Sequence, residues 1–174
     1  MARAVSDNAA MNLETFAGEC RAILSADPGP EGRRKVCALL EQALRDRDFV
    51  DKSVNDATPE RHLLYEDPQL GFCIFGHNYA GPKEAPPHDH GPSWAIYGQA
   101  RGETHMTDYE RVAEPAGGKP GKAKAVRTYK LVPGMAYLYN EGDLHSPRRD
   151  APTRLIRIEG TNMDRVKRSR FDKV

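Results

Sequence analysis

The histidines are the residues in this chain whose spacing points to chemistry. The informative stretch is Pro86-Pro87-His88-Asp89-His90-Gly91-Pro92-Ser93-Trp94. On a strand, side chains alternate between faces, so His88 and His90 present both imidazoles on one side and Asp89 on the other. Two neutral imidazoles on one side are the start of a metal site, and the stiff Pro86-Pro87 pair fixes their approach. Such pairs also arise on solvated strands, so the pair alone defines a candidate. His77 and His105 read as decoys, and His62 as a structural or pocket-rim residue. Nucleophilic chemistry finds less support. Cys20 and Cys37 fall on helix faces, and Cys73 sits in the strand Phe72-Cys73-Ile74-Phe75, where burial is the ordinary expectation. No serine carries a nucleophile-elbow pattern, and no carboxylate pair has independent support for glycosidase work.

The bulk composition bounds the partners. The 174 residues carry 26 Lys and Arg against 25 Asp and Glu, a formal net charge of +1. Nothing in that balance demands nucleic acid or an anionic membrane. With 39% hydrophobic and 29% charged residues, the chain is too apolar for a wholly disordered protein and too polar for a membrane protein. No apolar run approaches the roughly 18 residues of a membrane span. Met1 to Asn12 lacks the apolar segment of a secretory signal. Three cysteines at these spacings resemble neither a disulfide framework nor a zinc knuckle, so the expectation is a cytoplasmic protein with reduced thiols.

The elements that must position the histidines follow from periodicity. From Asn12 to Leu24 the apolar residues Leu13, Phe16, Ala17, Cys20, Ile23 and Leu24 form one helical stripe, with Asn12 as cap and Asp27-Pro28-Gly29-Pro30 as stop. A second helix is predicted from about Glu31 to Arg47, with Val36, Leu40, Ala43 and Leu44 on its buried face. Two such stripes must pack together or cover a sheet. After Asp48, short apolar runs alternate with turns. Strands are predicted at 61–65, 72–79, 93–97, 104–109, 125–131, 136–139 and 154–159, which favours a barrel or sandwich. The expected organisation is a helical extension over 1–50, a barrel over 51–162 and a basic tail over 163–174. That tail reads as a charged helix or frayed end, and Glu114–Lys122, within the Gly/Lys-rich stretch 114–124, as a hairpin or rim loop.

Later segments complete a pattern. Gly98-Gln99-Ala100-Arg101-Gly102-Glu103, Val132-Pro133-Gly134-Met135-Ala136-Tyr137 and Gly142-Asp143-Leu144-His145 follow the His-x-His stretch. With these, the sequence resembles the cupin superfamily, and within it the cysteine dioxygenase-related thiol dioxygenases and their bacterial relatives. The resemblance spans roughly Arg61 to Gly160. It implies an all-β double-stranded β-helix barrel with a short N-terminal helical extension. It nominates His88, His90 and His145 as ligands of Fe(II), Glu103 as a supporting turn glutamate, and Arg61 as the anchor of a substrate carboxylate. The implied activity is oxidation of a small organic thiol by dioxygen to a sulfinate, in a monomer or homodimer. Three histidines alone suit zinc, nickel, copper or manganese equally.

Departures from the family pattern narrow the substrate. Trp94 and Ala95 stand where many cupins carry a ligating glutamate, and Ala95 also replaces the cross-linking cysteine of cysteine dioxygenase. The late Ser-x-His-x-Tyr strand is here Leu155-Ile156-Arg157-Ile158-Glu159. Period two puts Arg157 and Glu159 on one side, as an ion pair or as direct substrate contacts. Tyr97 shares parity with Ala95 and is a candidate to point at the metal, whereas Trp94 faces the helices. Cysteine and 3-mercaptopropionate both become doubtful substrates. The alternatives are another cupin reaction, carbon-bond dioxygenation or isomerisation, and a metal-containing binding protein without turnover.

Overall fold

The computed structural model describes residues 10–174. Helix α1 (Leu13–Ala26) starts where the Asn12 side chain accepts the Thr15 N–H at 2.9 Å, and it buries Phe16, Ala17, Cys20 and Leu24. Helix α2 (Pro30–Ala43) opens on a proline, whose missing N–H costs nothing in a first turn. It does not run on to Arg47. The Asp46 side chain accepts the N–H groups of Asp48 and Phe49 and so starts a separate helix, α3 (Arg47–Ser53). Phe49 of α3 packs on Phe16 with ring centroids 5.3 Å apart.

Ten strands follow: β1 (His62–Glu66), β2 (Cys73–Tyr79), β3 (Lys83–Glu84), β4 (Ala95–Arg101), β5 (Thr104–Ala113), β6 (Gly121–Leu131), β7 (Ala136–Tyr139), β8 (Leu144–Arg149), β9 (Thr153–Glu159) and β10 (Phe171–Lys173). They form two five-stranded sheets, in orders β1-β2-β9-β4-β7 and β10-β6-β5-β8-β3. The first sheet buries both faces. Outward, Ile74, Ile96, Ile156, Ile158 and Trp94 meet Phe16, Val36 and Leu40 of the helices. Inward, Tyr79, Ala95, Tyr97, Tyr139 and Leu155 meet Met106 and Leu131 of the second sheet. The result is a cupin-like barrel with an N-terminal helical extension, and the histidines lie inside it.

Three strands were not expected. β3 and β8 are short or polar, and β8 contains Pro147, so neither has an apolar period to read. The C-terminal segment is neither a charged helix nor a frayed end. Phe171–Lys173 pairs in parallel with β6, and Phe171 is buried against it. A Cβ on Gly121 would come within 2.5 Å of the Phe171 ring, so only glycine lets that ring lie on the strand. Residues 114–120 connect β5 to β6 as a hairpin, as expected.

The helix-to-sheet contact is tight at one point. A Cβ on Gly98 of β4 would meet Leu40 Cδ2 at 2.6 Å and the Ile156 carbonyl oxygen at 2.9 Å. Gly98→Ala is therefore expected to destabilise the fold by about 1–3 kcal/mol through overpacking. Urea unfolding checks this, and an unchanged midpoint would show that α2 does not bear on β4.

Candidate metal centre

One ring nitrogen from each of His88, His90 and His145 lies within 4.8 Å of the others. The backbone brings them together. His88 and His145 form an isolated antiparallel bridge, His88 N–H to the His145 carbonyl at 3.0 Å and His145 N–H to the His88 carbonyl at 2.9 Å. His88–His90 thus has the alternation of a strand, and its bridge follows the β3–β8 ladder and the Ala85 N–H to Pro147 carbonyl bond. Asp89 faces away and accepts from Arg111 Nη2 at 2.5 Å and from the Gly91 N–H at 2.9 Å. Gly91 turns the chain with φ +59°, a conformation that favours glycine.

Second partners orient the rings. His88 Nδ1 lies 2.9 Å from the Pro86 carbonyl oxygen and His145 Nδ1 2.9 Å from that of Asp143. A carbonyl only accepts, so Nδ1 carries the proton in both and the Nε2 lone pairs face inward. Tyr139 stacks on His145 with centroids 3.9 Å apart. Its hydroxyl is tied to that of Tyr129 at 2.5 Å, and Tyr129 in turn donates to Asp108 at 2.9 Å. His90 Nδ1 is buried without a partner.

Burial keeps the set neutral. Desolvation lowers the pKa of His88 from 6.5 to about 4 and holds His90 and His145 well below 6.5. His90 Nε2 and His145 Nε2 approach to 3.3 Å, which two charged rings would resist. Three neutral, inward-facing lone-pair donors fit a divalent metal, which demands deprotonated imidazole. The donor set itself does not choose among iron, nickel and zinc.

Tyr97 completes the cluster. Its hydroxyl lies 3.1 Å from His90 Nε2, 3.2 Å from His145 Nε2 and 3.5 Å from His88 Nε2. The residue is 1% exposed, and burial raises its pKa above the ordinary phenol value. Arg157 lies with its guanidinium carbon 4.2 Å from the Tyr97 ring centroid.

The remaining candidate residues are arranged differently from the family expectation. Arg61 does not present an open fork. It pairs with both carboxylate oxygens of buried Glu159, at 3.1 and 3.0 Å, and reaches Asp164 with Nε. Glu159 is thus chiefly a partner of Arg61, while Arg157 Nη1 stands 3.6 Å from it. Glu103 is exposed at the turn after β4 and meets Lys130 at 3.1 Å, away from the histidines. Trp94 packs against the helices as expected. His105 lies beside Asp150, and His77 is buried with Nδ1 on the Glu60 carbonyl. Burial raises the thiol pKa of Cys20 and Cys37 to about 12 and of Cys73 to about 11, so none is a ready nucleophile. Arg149, Tyr139 and Tyr79 also line the interior and were missed. Period two from His145 reaches Arg149, a signal that was present once β8 is recognised as a strand.

No protein-family model matches the chain, and no curated protein matches it. Several solved structures are similar to part of it. A cupin superfamily protein from Desulfitobacterium hafniense is 12% identical with TM-score 0.44, over 59% of this chain and 76% of that one. The cupin domain of Schizosaccharomyces pombe Cnp3 is 12% identical with TM-score 0.43, over 59% of this chain and 64% of that one, just under two thirds. A conserved Streptococcus pyogenes protein of unknown function is 13% identical with TM-score 0.45, over 65% and 84%. Among the described residues no helix is long and apolar enough to cross a membrane.

Two outcomes follow from the site. His88→Ala and His145→Ala are each expected to lose stoichiometric divalent-metal binding after dialysis, while Glu103→Gln keeps it. Elemental analysis reads both, and full occupancy in either histidine variant would contradict the ligand set. The second concerns His77, whose pKa burial holds well below 6.5. Above 6.5 both folded and unfolded states leave it neutral. Below that value only the unfolded state gains the proton, so its contribution turns against folding as pH falls. The Tm of wild type relative to His77→Gln should therefore drop on acidification below 6.5. A pH-independent difference would show that His77 takes up its proton in the folded state.

Proposed function

We propose that the protein is a mononuclear non-haem iron dioxygenase that oxidises a small polar organic thiol to a sulfinate. The observation that carries this reading is the ligand set: His88, His90 and His145 converge with no carboxylate among them. Neutral ligands leave the whole charge of a divalent ion in the site, which favours an anionic thiolate beside it. Iron, when bound, supplies the electron transfer that joins dioxygen to sulfur, R–SH and O2 giving R–SO2H with both oxygen atoms on sulfur.

The chain's own residues do the rest. Ala95, Met106, Leu131 and Leu155 make part of the surrounding wall apolar and would limit water there. Tyr97, protonated because it is buried, holds an O–H donor beside the three ring nitrogens, where negative charge on oxygen would be met by a hydrogen bond. The same reading places the enzyme in the cytoplasm, as a monomer or homodimer. A second reading, carbon-bond dioxygenation or isomerisation, is favoured by one feature. The Tyr97 O–H, within 3.5 Å of all three nitrogens, is equally placed to hydrogen-bond an oxygen that gains negative charge when a carbon substrate loses a proton.

Oxygen uptake by anaerobically prepared, Fe(II)-loaded protein decides between them. A thiol panel covering cysteine, cysteamine, 3-mercaptopropionate and mercaptosuccinate is expected to contain a saturating substrate whose product gains two oxygen atoms. No uptake at verified iron occupancy would overturn thiol oxidation. Tyr97→Phe is expected to keep its iron and lower kcat about 100-fold, the loss of one proton donor. Unchanged kcat would remove Tyr97 from the chemistry.

A further inference from the structure

The interior beside the histidines carries more cationic charge than the protein neutralises. Arg149 and Arg157 are 2% and 7% exposed. Nε and Nη2 of Arg149 and Nε of Arg157 are buried without a hydrogen-bond partner. Among the described residues no carboxylate pairs with Arg149. Glu159 has both oxygens committed to Arg61 and offers Arg157 only a 3.6 Å approach. Aromatic faces take part of the load, Tyr79 at 4.3 Å from Arg149 and Tyr97 at 4.2 Å from Arg157. Burial, helped by the like charge of Arg157, pulls the Arg149 pKa below its usual value. A buried guanidinium left unpaired is strongly unfavourable, so this arrangement calls for an anion from outside the chain.

We infer that Arg149 and Arg157 form the binding site for a small dicarboxylate, so that the substrate of this barrel carries two anionic groups. Arg149 offers an unpaired fork, and Arg157 an unpartnered Nε beside its 3.6 Å contact to Glu159, so that two incompletely paired guanidinium groups face two carboxylates. The location is apt. Arg157 covers the Tyr97 ring, and the Tyr97 hydroxyl touches all three ligand nitrogens. A carboxylate on Arg157 therefore places the rest of a small molecule next to the metal position. His77 Nε2, also buried without a partner, stacks beside Tyr79 in the same group. Arg61, the anchor suggested by resemblance, instead secures Glu159.

This inference rests on the reading of the barrel as an active site, but not on thiol oxidation. Protein loaded with redox-inert zinc separates the two, because binding is then read without turnover. Calorimetric titration with succinate, propionate and inorganic phosphate is expected to rank succinate about tenfold or more above propionate, the equivalent of one charge-assisted pair. Arg149→Met should lose about tenfold or more in succinate affinity, with Arg149→Lys in between. The same Arg149→Met substitution should raise the Tm of the ligand-free protein, since it removes an unpaired buried charge, an effect that a merely structural arginine would reverse. Arg157→Met serves as the second variant, with circular dichroism confirming folding. Equal affinities for succinate and propionate, a preference for phosphate, or unchanged succinate affinity in both folded methionine variants would each overturn the assignment.

Discussion

The antiparallel bridge between His88 and His145 is the join on which the site depends. Two backbone hydrogen bonds, 3.0 and 2.9 Å long, fasten a proline-led loop to β8. They set the alternation that turns His88 and His90 inward with His145, and they send Asp89 outward to Arg111. The β3–β8 ladder and the Ala85 N–H on the Pro147 carbonyl bring the segment to β8, and the bridge carries the pairing on to His88. The surrounding contacts reinforce it. Tyr139 fixes the plane of His145, and carbonyls of Pro86 and Asp143 fix which nitrogens carry protons. Convergence, tautomer and neutrality thus come from different parts of the chain.

Burial then sets the electrostatics of the interior. It favours neutral histidines, which suits metal binding, and it disfavours charged guanidinium groups. The barrel nevertheless keeps Arg149 and Arg157 inside while settling its third arginine, Arg61, on Glu159. Retaining cations in so dry a place is costly to folding, and under the proposed anion binding it would be offset by donors already oriented for the ligand. Tyr97 stands between the three ring nitrogens, which its hydroxyl touches, and the Arg157 guanidinium, which lies over its ring.

Much of this was legible in the sequence, and the failures have physical reasons. The α1 stripe and its Asn12 cap, the helix-facing Trp94, and most strands of the first sheet follow from period 3.6 or period 2. The α2–α3 break was missed because Asp46 acts as a cap inside an otherwise helical pattern. β8 was missed because His-Ser-Pro-Arg-Arg has no apolar alternation, and with it went Arg149. β10 is only three residues long and owes its place to one aromatic ring over Gly121. The Arg61–Glu159 pair joins residues far apart in the chain, so local spacing could not tell a substrate anchor from an ion pair. The histidine set was legible because the local His-x-His spacing and the resemblance that added His145 agree with the barrel's register.

The most direct measurement is a crystal grown with Fe(II) under anaerobic conditions, with anomalous scattering recorded at the iron edge. One iron peak within bonding distance of the Nε2 atoms of His88, His90 and His145 is the expected result. Iron bound elsewhere, or no peak inside the barrel in protein that carries iron in solution, would contradict the three-histidine centre on which the functional reading stands.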